Sequence, residues 1–290
     1  MEDRSEEISA YVTQLASQGY IANTGLATVL ALANMLHRPL LLEGEAGVGK
    51  TDIAINLARI KNCPLIRLQC YDGIDASNAL YEWNYQKQML AIHQQSTQAD
   101  LDLFAEEYLL PRPLLEALLL GAQGKECVLL IDELDRADEP FEAFLLEILA
   151  DFQITIPEYK TITAKHAPYV IITSNRTRNI HDAIKRRCLY HWVDYPSLEQ
   201  EIAILQSRVP EASEELRMQI VSFVRNLRTL DLFKVPGIAE TIEWARALIA
   251  LNACEVTKDY AAQTLGVLIK YKDDMDMIDD SRIDALRKPE

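Results

Sequence analysis

The stretch Pro39–Ile53, PLLLEGEAGVGKTDI, restricts what this chain can fold into more than any other. Three leucines, Leu40 to Leu42, lead into Gly44, four residues follow, and then come Gly49, Lys50 and Thr51. This is the G-x-x-x-x-G-K-T spacing of a phosphate-binding loop. Gly44, Gly47 and Gly49 have no Cβ, so the backbone can turn tightly and aim successive N–H groups at phosphate oxygens. A helix starting near Lys50 adds the positive end of its dipole. The whole loop, Gly44, Glu45, Ala46, Gly47, Val48, Gly49, Lys50 and Thr51, is therefore a candidate nucleotide cradle. Lys50 would reach the β- and γ-phosphates, and the Thr51 hydroxyl would bind Mg²⁺. A glycine-rich turn that binds nothing could carry the same letters. The flanks favour the cradle: an apolar strand run precedes it, and Ile53, Ala54, Leu57 and Ala58 follow at helical spacing.

At 290 residues the chain has room for one large domain or two. A net charge of −15 argues against non-specific nucleic-acid binding, which needs a basic surface to displace counterions. A local basic pore is compatible with it. The five cysteines, Cys63, Cys70, Cys127, Cys188 and Cys254, form no C-x-x-C pair and no zinc spacing. The opening residues MEDRSEEIS are acidic and polar, unlike a signal peptide, and no apolar run is long enough to span a bilayer. The expected home is a reducing cytoplasm.

The periodicity predicts amphipathic helices over Arg4–Ser17 and from Asn23 to Met35, ended by Pro39, and a strand over Pro64–Gln69. In Leu80–Gln95, Tyr81, Trp83 and Tyr85 alternate as in a strand, and an insertion of mixed shape is expected. Asp100–Leu109 and Leu114–Leu120 read as helices separated by Pro111 and Pro113. Gln153–Pro157 and Lys160–Ala164 read as a β-hairpin across Glu158–Tyr159. Buried strands are expected at Cys127–Ile131, Tyr169–Thr173 and Leu189–Val193. After Pro196 only helical periodicity is found, opened by a capping box of Ser197 and Gln200. The stretch DDMDMIDD reads as an acidic tail.

Asp132 and Glu133 end the apolar strand VLLIDE, and ligands of open α/β sheets bind at that end. Asp132 can hold Mg²⁺ through its water shell, because Mg²⁺ dehydrates reluctantly. Glu133 can polarise an attacking water. Asn175, ending ITSN, can orient that water, although asparagine at a strand end is often only a turn former. Arg186 and Arg187 in IKRRCLYHW can neutralise transition-state charge, although such triplets are often a solvated face.

The order of phosphate loop, Asp-Glu strand, polar strand end, arginine and helical region resembles the AAA+ ATPases over nearly the whole chain. Within them LLLEGEAGVGKT, LLIDELDRAD, ITSNRTR and DAIKRRCLYHWVDYP are similar to the MoxR group, above all to the accessory ATPases of carbon monoxide dehydrogenase maturation. The resemblance implies an α/β P-loop NTPase core, a parallel sheet with helices on both faces, over residues 1–195, and a small all-helical lid over 196–290. The core would carry a helix-2 insertion near 80–95 and a pre-sensor-1 hairpin near 153–164. It implies ATP and Mg²⁺ as ligands, Thr51 and Asp132 as metal-holding residues, Glu133 as catalytic base and Asn175 as sensor 1. Arg187 or Arg186 would act as an arginine finger on the next subunit. A ring, expected as a hexamer, would remodel a protein client such as a metalloenzyme, with a von Willebrand A-domain adaptor and neither membrane nor nucleic acid as partner. Gln69 would restrain Glu133. No arginine opens the helix in KVPGIAETIEWARAL, so the sensor-2 role falls to Lys234 or Arg246. Two other readings are a nucleotide-gated binding module with slow hydrolysis and a nucleic-acid motor.

Overall fold

A computed structural model describes residues 2–94, 102–157 and 159–288, without the side chains of residues 2–7 and 94. The chain forms two compact units. One comprises Met1–Tyr11, Thr24–Glu43 and Thr51–Trp192, and the other Val12–Asn23, Gly44–Lys50 and Val193–Glu290.

In chain order, helix α1 (Glu2–Ser17) and helix α2 (Thr24–Leu36) precede strand β1 (Leu40–Glu43), which is buried at every position. The phosphate-loop stretch then leads into α3 (Lys50–Lys61). Next come β2 (Leu65–Gln69), α4 (Ala76–Ala79), β3 (Tyr81–Trp83) and α5 (Tyr85–Gln94). They are followed by β4 (Leu109–Pro111), α6 (Pro113–Ala122), β5 (Val128–Asp132) and α7 (Glu139–Asp151). The first unit closes with β6 (Gln153–Thr155), β7 (Thr161–Thr163), β8 (Tyr169–Ser174), α8 (Asp182–Arg187) and β9 (Leu189–Trp192).

Five strands form one parallel sheet in the order β2-β5-β8-β1-β9. Continuous apolar runs suit strands covered on both faces. On one face Leu41, Leu68, Leu129, Ile131 and Ile172 pack with Leu115 and Leu118 of α6 and Leu145 and Ile148 of α7. On the other, Leu40 and Ile171 line a small cavity with Leu30 of α2 and Leu57 of α3. The sheet with helices on both faces is the expected P-loop fold.

The insertion begins as a strand through Trp83, but Tyr85 opens a helix instead of extending the strand, with the Asn84 side chain accepting from Lys87 N at 3.0 Å. Gln95 lies outside the described residues. The helix expected over Asp100–Leu109 is not formed in its described part: residues 106–108 make a single 3₁₀ turn, and Leu109 enters β4 opposite Trp83. Pairing with β3 outweighs local helical preference there. Residues 100 and 101 are outside the described set. Pro113 starts α6 rather than interrupting the chain, because the first helical turn needs no N–H there. The hairpin pairs Ile154 with Ile162 as expected, and its residue Glu158 lies outside the described set.

The second unit carries α9 (Leu198–Arg208), α10 (Glu214–Arg228), α11 (Ile238–Ala250) and α12 (Lys258–Leu268). They bury Leu205, Ile220, Phe223, Trp244, Leu248 and Leu265 in one core. The capping box of Ser197 and Gln200 is present. DDMDMIDD is not a tail. It runs through α13 (Lys272–Asp276) towards α14 (Asp280–Leu286), with Ile278, Ile283 and Leu286 buried. Buried Asp274 accepts from the backbone N–H of Phe233 at 2.8 Å, so part of its charge is structural. Among the described residues no helix is long and apolar enough to cross a membrane.

Candidate nucleotide site

Gly47 and Gly49 take φ of +79° and +93°, the left-handed region that glycine enters without strain. A Cβ on Gly44 would stand 2.3 Å from the Val193 carbonyl oxygen, so that position admits only glycine. Lys50 is buried, and its Nζ donates to the carbonyl oxygens of Gly44 at 2.8 Å and Glu45 at 2.6 Å. These bonds tie the ammonium back across the loop. Within the same unit, Ala239 N donates to Gly47 O at 3.3 Å, and Glu240 Oε2 would lie 2.9 Å from a Cβ on Gly47. Glu240 is a charged side chain beside the loop at this point. Lys234 donates its backbone N–H to Asp274, and Arg246 is exposed.

At the end of β5 the register sets Asp132 opposite Gln69, and Thr173 follows on the other neighbouring strand. Asp132 is buried, and each of its oxygens has partners. Thr173 Oγ1 donates to Oδ1 at 2.5 Å, and Thr51 Oγ1 donates to Oδ1 at 3.1 Å. Arg67 places Nε at 3.0 Å and Nη2 at 2.6 Å from Oδ2. A hydroxyl and a carboxylate in contact form a hard oxygen pair that suits Mg²⁺, which takes few protein ligands and keeps its waters. Among the described residues there is no cluster of three or more His, Cys, Asp or Glu of the kind that cages other metals. Arg67 escaped the sequence reading. Its signal was the alternation in LIRLQ, which puts Arg67 and Gln69 on the same exposed face of β2.

Glu133 leaves the strand with φ 57° and ψ 49°, a left-handed conformation uncommon for a side-chain-bearing residue. Its N–H donates to Thr173 Oγ1 at 2.9 Å, which holds the turn. Its carboxylate accepts from Gln69 Nε2 at 3.0 Å and, over a longer 3.4 Å, from Asn175 Nδ2. Arg136 Nη1 stands 3.5 Å away. The structure thus brings Glu133 and Asn175 together at adjacent strand ends.

Two carboxylates overlooked in the sequence hold this arrangement. Asp135, buried beneath the strand ends, accepts from Asn175 N at 3.2 Å, Thr177 N at 2.9 Å and Thr177 Oγ1 at 2.7 Å. Glu142, buried in α7, accepts from the Arg178 guanidinium and from His181 N. The stretch after Asn175 is therefore anchored at both ends. Cys70 begins the loop after β2, and its N–H donates to Asp132 O at 2.8 Å. Burial, then the charges of Asp132 and Asp135, push its thiol up to about 12.

Arg186 and Arg187 close α8 and are exposed, and among the described residues their guanidinium groups have no hydrogen-bond or ion-pair partner. The structure does not join them to Glu133. Their backbone is fixed, however: Arg38 donates Nε to Arg187 O at 3.0 Å and Nη2 to Arg186 O at 2.6 Å. At the end of β1, Glu43 is buried, accepts from Tyr190 Oη at 3.2 Å and lies 3.7 Å from Lys185 Nζ.

The chain is 27% identical over 225 residues to an uncharacterized protein of Staphylococcus epidermidis, covering 75% of this chain and 78% of that one. It is 24% identical over 203 residues to the gas vesicle ATPase GvpN1 of Halobacterium salinarum, spanning 66% of this chain and 56% of the relative. In fold it is similar to a point mutant of Thermotoga maritima RuvB, with a TM-score of 0.50 and 16% identity over 95% of this chain and 72% of that one. The family described as the AAA domain, dynein-related subfamily, matches residues 39–188, just over half of the sequence. By this match the chain belongs to the AAA+ ATPases of that domain family.

Proposed function

We propose that the chain is a Mg²⁺-dependent ATPase working as a ring, in which one copy's arginine completes its neighbour's site. The observation that supports this best is the convergence at the strand ends, where Thr51 bonds Asp132 and Glu133 bonds Asn175. In this reading Gly44–Lys50 cradle the phosphates, and Thr51 and Asp132 hold Mg²⁺. The metal, when bound, supplies charge neutralisation on the phosphate oxygens. Glu133 takes a proton from a water whose oxygen attacks the γ-phosphorus, and Asn175 orients that water. The bond to the bridging oxygen breaks, leaving ADP and phosphate. Arg187 or Arg186, both unpaired among the described residues, would stabilise the charge of that step in the next copy.

Residues 1–195 are proposed as the nucleotide-binding domain and 196–290 as the lid. The resemblance to the MoxR group supports a chaperone-like role on a protein client, a metalloenzyme, with a von Willebrand A-domain adaptor. The −15 net charge favours a protein client over nucleic acid. A second reading, a nucleotide-gated switch with slow turnover, draws on the hold that Gln69 and Arg136 have on Glu133. Phosphate release with and without candidate partners separates the two. Glu133→Gln should keep nucleotide binding and lose turnover about 10²-fold or more. Normal hydrolysis by that variant would refute the assigned base, and no nucleotide binding by the native chain would refute the whole reading.

A further inference from the structure

We infer that Arg67 is a positioning residue that couples occupancy of the metal-holding carboxylate to the freedom of the catalytic base. The inference rests on the proposed roles of Asp132 and Glu133. Four side chains form an unbroken path. Arg67 directs Nε and Nη2 at one oxygen of Asp132, at 3.0 and 2.6 Å. The same Nη2 lies 2.5 Å from Gln69 Oε1. Gln69 Nε2 lies 3.0 Å from Glu133 Oε2. With its oxygen engaged by Arg67, the Gln69 amide has its nitrogen left to donate to Glu133.

The burial of the two ends sets the direction of the device. Asp132 has a side-chain exposure of 3%, so its charge needs a partner, and the half-exposed Arg67 supplies one in the chain alone. Arg67 and a divalent cation cannot both neutralise one buried carboxylate without repelling each other. Arg67 therefore yields its place as metal binds, and its long stem can carry the guanidinium to water. Gln69 then loses the bond that fixes its amide, and its grip on Glu133 slackens. Asn175, on the other oxygen of Glu133, keeps its contact. The base is thus held while the metal-holding carboxylate is empty and loosened when it is filled.

A purely structural role predicts something else: loss of Arg67 would lower stability and leave metal affinity unchanged or weaker. The test uses the full chain with ADP, Mn²⁺ as a spin probe of metal binding, and ADP affinity in EDTA as control. Arg67→Met should bind Mn²⁺ about tenfold more tightly than the native chain, with ADP affinity in EDTA retained. Gln69→Ala should also tighten Mn²⁺ binding, but add nothing in the Arg67→Met background, because the two act in one path. Unchanged or weaker Mn²⁺ binding, or additive effects, would overturn the coupling. Failure of the native chain to bind ADP would instead remove the nucleotide reading beneath it. Thermal melts confirm folding, and Arg67→Gln carries the same expectations should the methionine variant not fold.

Discussion

Gln69 Nε2 stands 3.0 Å from the carboxylate of Glu133, across the outermost strand pair of the sheet. With Arg136 close to the same oxygen, the proposed base is held by two groups that are not substrate. Gln69→Leu removes one of them. At subsaturating Mg²⁺, where Asp132 is partly empty and the hold on Glu133 persists, unstimulated phosphate release should rise about threefold to tenfold, the effect of losing one ordinary hydrogen bond. A fall in the rate would show that Gln69 holds Glu133 in its working pose.

The exposed guanidinium groups of Arg186 and Arg187, on a backbone locked by Arg38, invite a complementation experiment. Alanine in place of whichever of the two serves as the finger, Arg187 or Arg186, should cut turnover about 10³-fold. Mixing the inactive arginine variant with Lys50→Ala chains should restore part of the activity, because in the proposed ring some sites would then regain both an intact loop and an intact finger. No recovery with either arginine would exclude action between copies.

In the helical unit, Glu201 is fully buried against Arg228, which also donates Nε to Pro236 O at 2.7 Å. Arg228→Ala would leave a buried carboxylate without its cation, at a cost of about 3–5 kcal/mol. Burial already raises the affinity of Glu201 for a proton, against the pull of Arg228. A carboxyl whose folded value lies above its unfolded one favours folding most at low pH, and this benefit fades as pH rises through the folded value. The variant's deficit in melting temperature should therefore be larger at about pH 7.5 than at about pH 5. A deficit independent of pH would assign the loss to packing instead.

Thiol chemistry offers a probe of the site. Burial pushes Cys70, Cys127 and Cys188 each up to about 12, whereas Cys254 is exposed. Since the thiolate is the reacting form, alkylation at about pH 8 should modify Cys254 first and leave these three intact in the folded chain. Cys70 follows the strand that carries Arg67 and Gln69, so its labelling, read by mass spectrometry, would report opening at that edge. Rapid labelling of Cys70 in the native chain would contradict the packing around Asp132.

The features legible in the sequence on its own were those fixed by neighbours in the chain. The loop 44–51 needs glycine at set positions, the Asp132–Glu133 strand is an unbroken apolar run, and the cap at Ser197 is a matter of three residues. Each is a local demand of backbone geometry or periodicity. The helix expected near residue 109 failed because Leu109 pairs with Trp83, a contact that no local propensity encodes. The expected tail likewise became helical because its scattered apolar residues found a core, which letters read as charge do not reveal.

The tertiary structure alone decided what surrounds the carboxylates. Arg67 and Asp132 are far apart in sequence and meet only because β2 and β5 lie side by side in register. Asp135 clamps the Asn175 turn for the same reason, through the pairing of β5 with β8. Sequence spacing names the groups that chemistry requires, since each motif is contiguous. Which cation faces which carboxylate depends on strand order, and that is set by how the whole sheet buries its two faces.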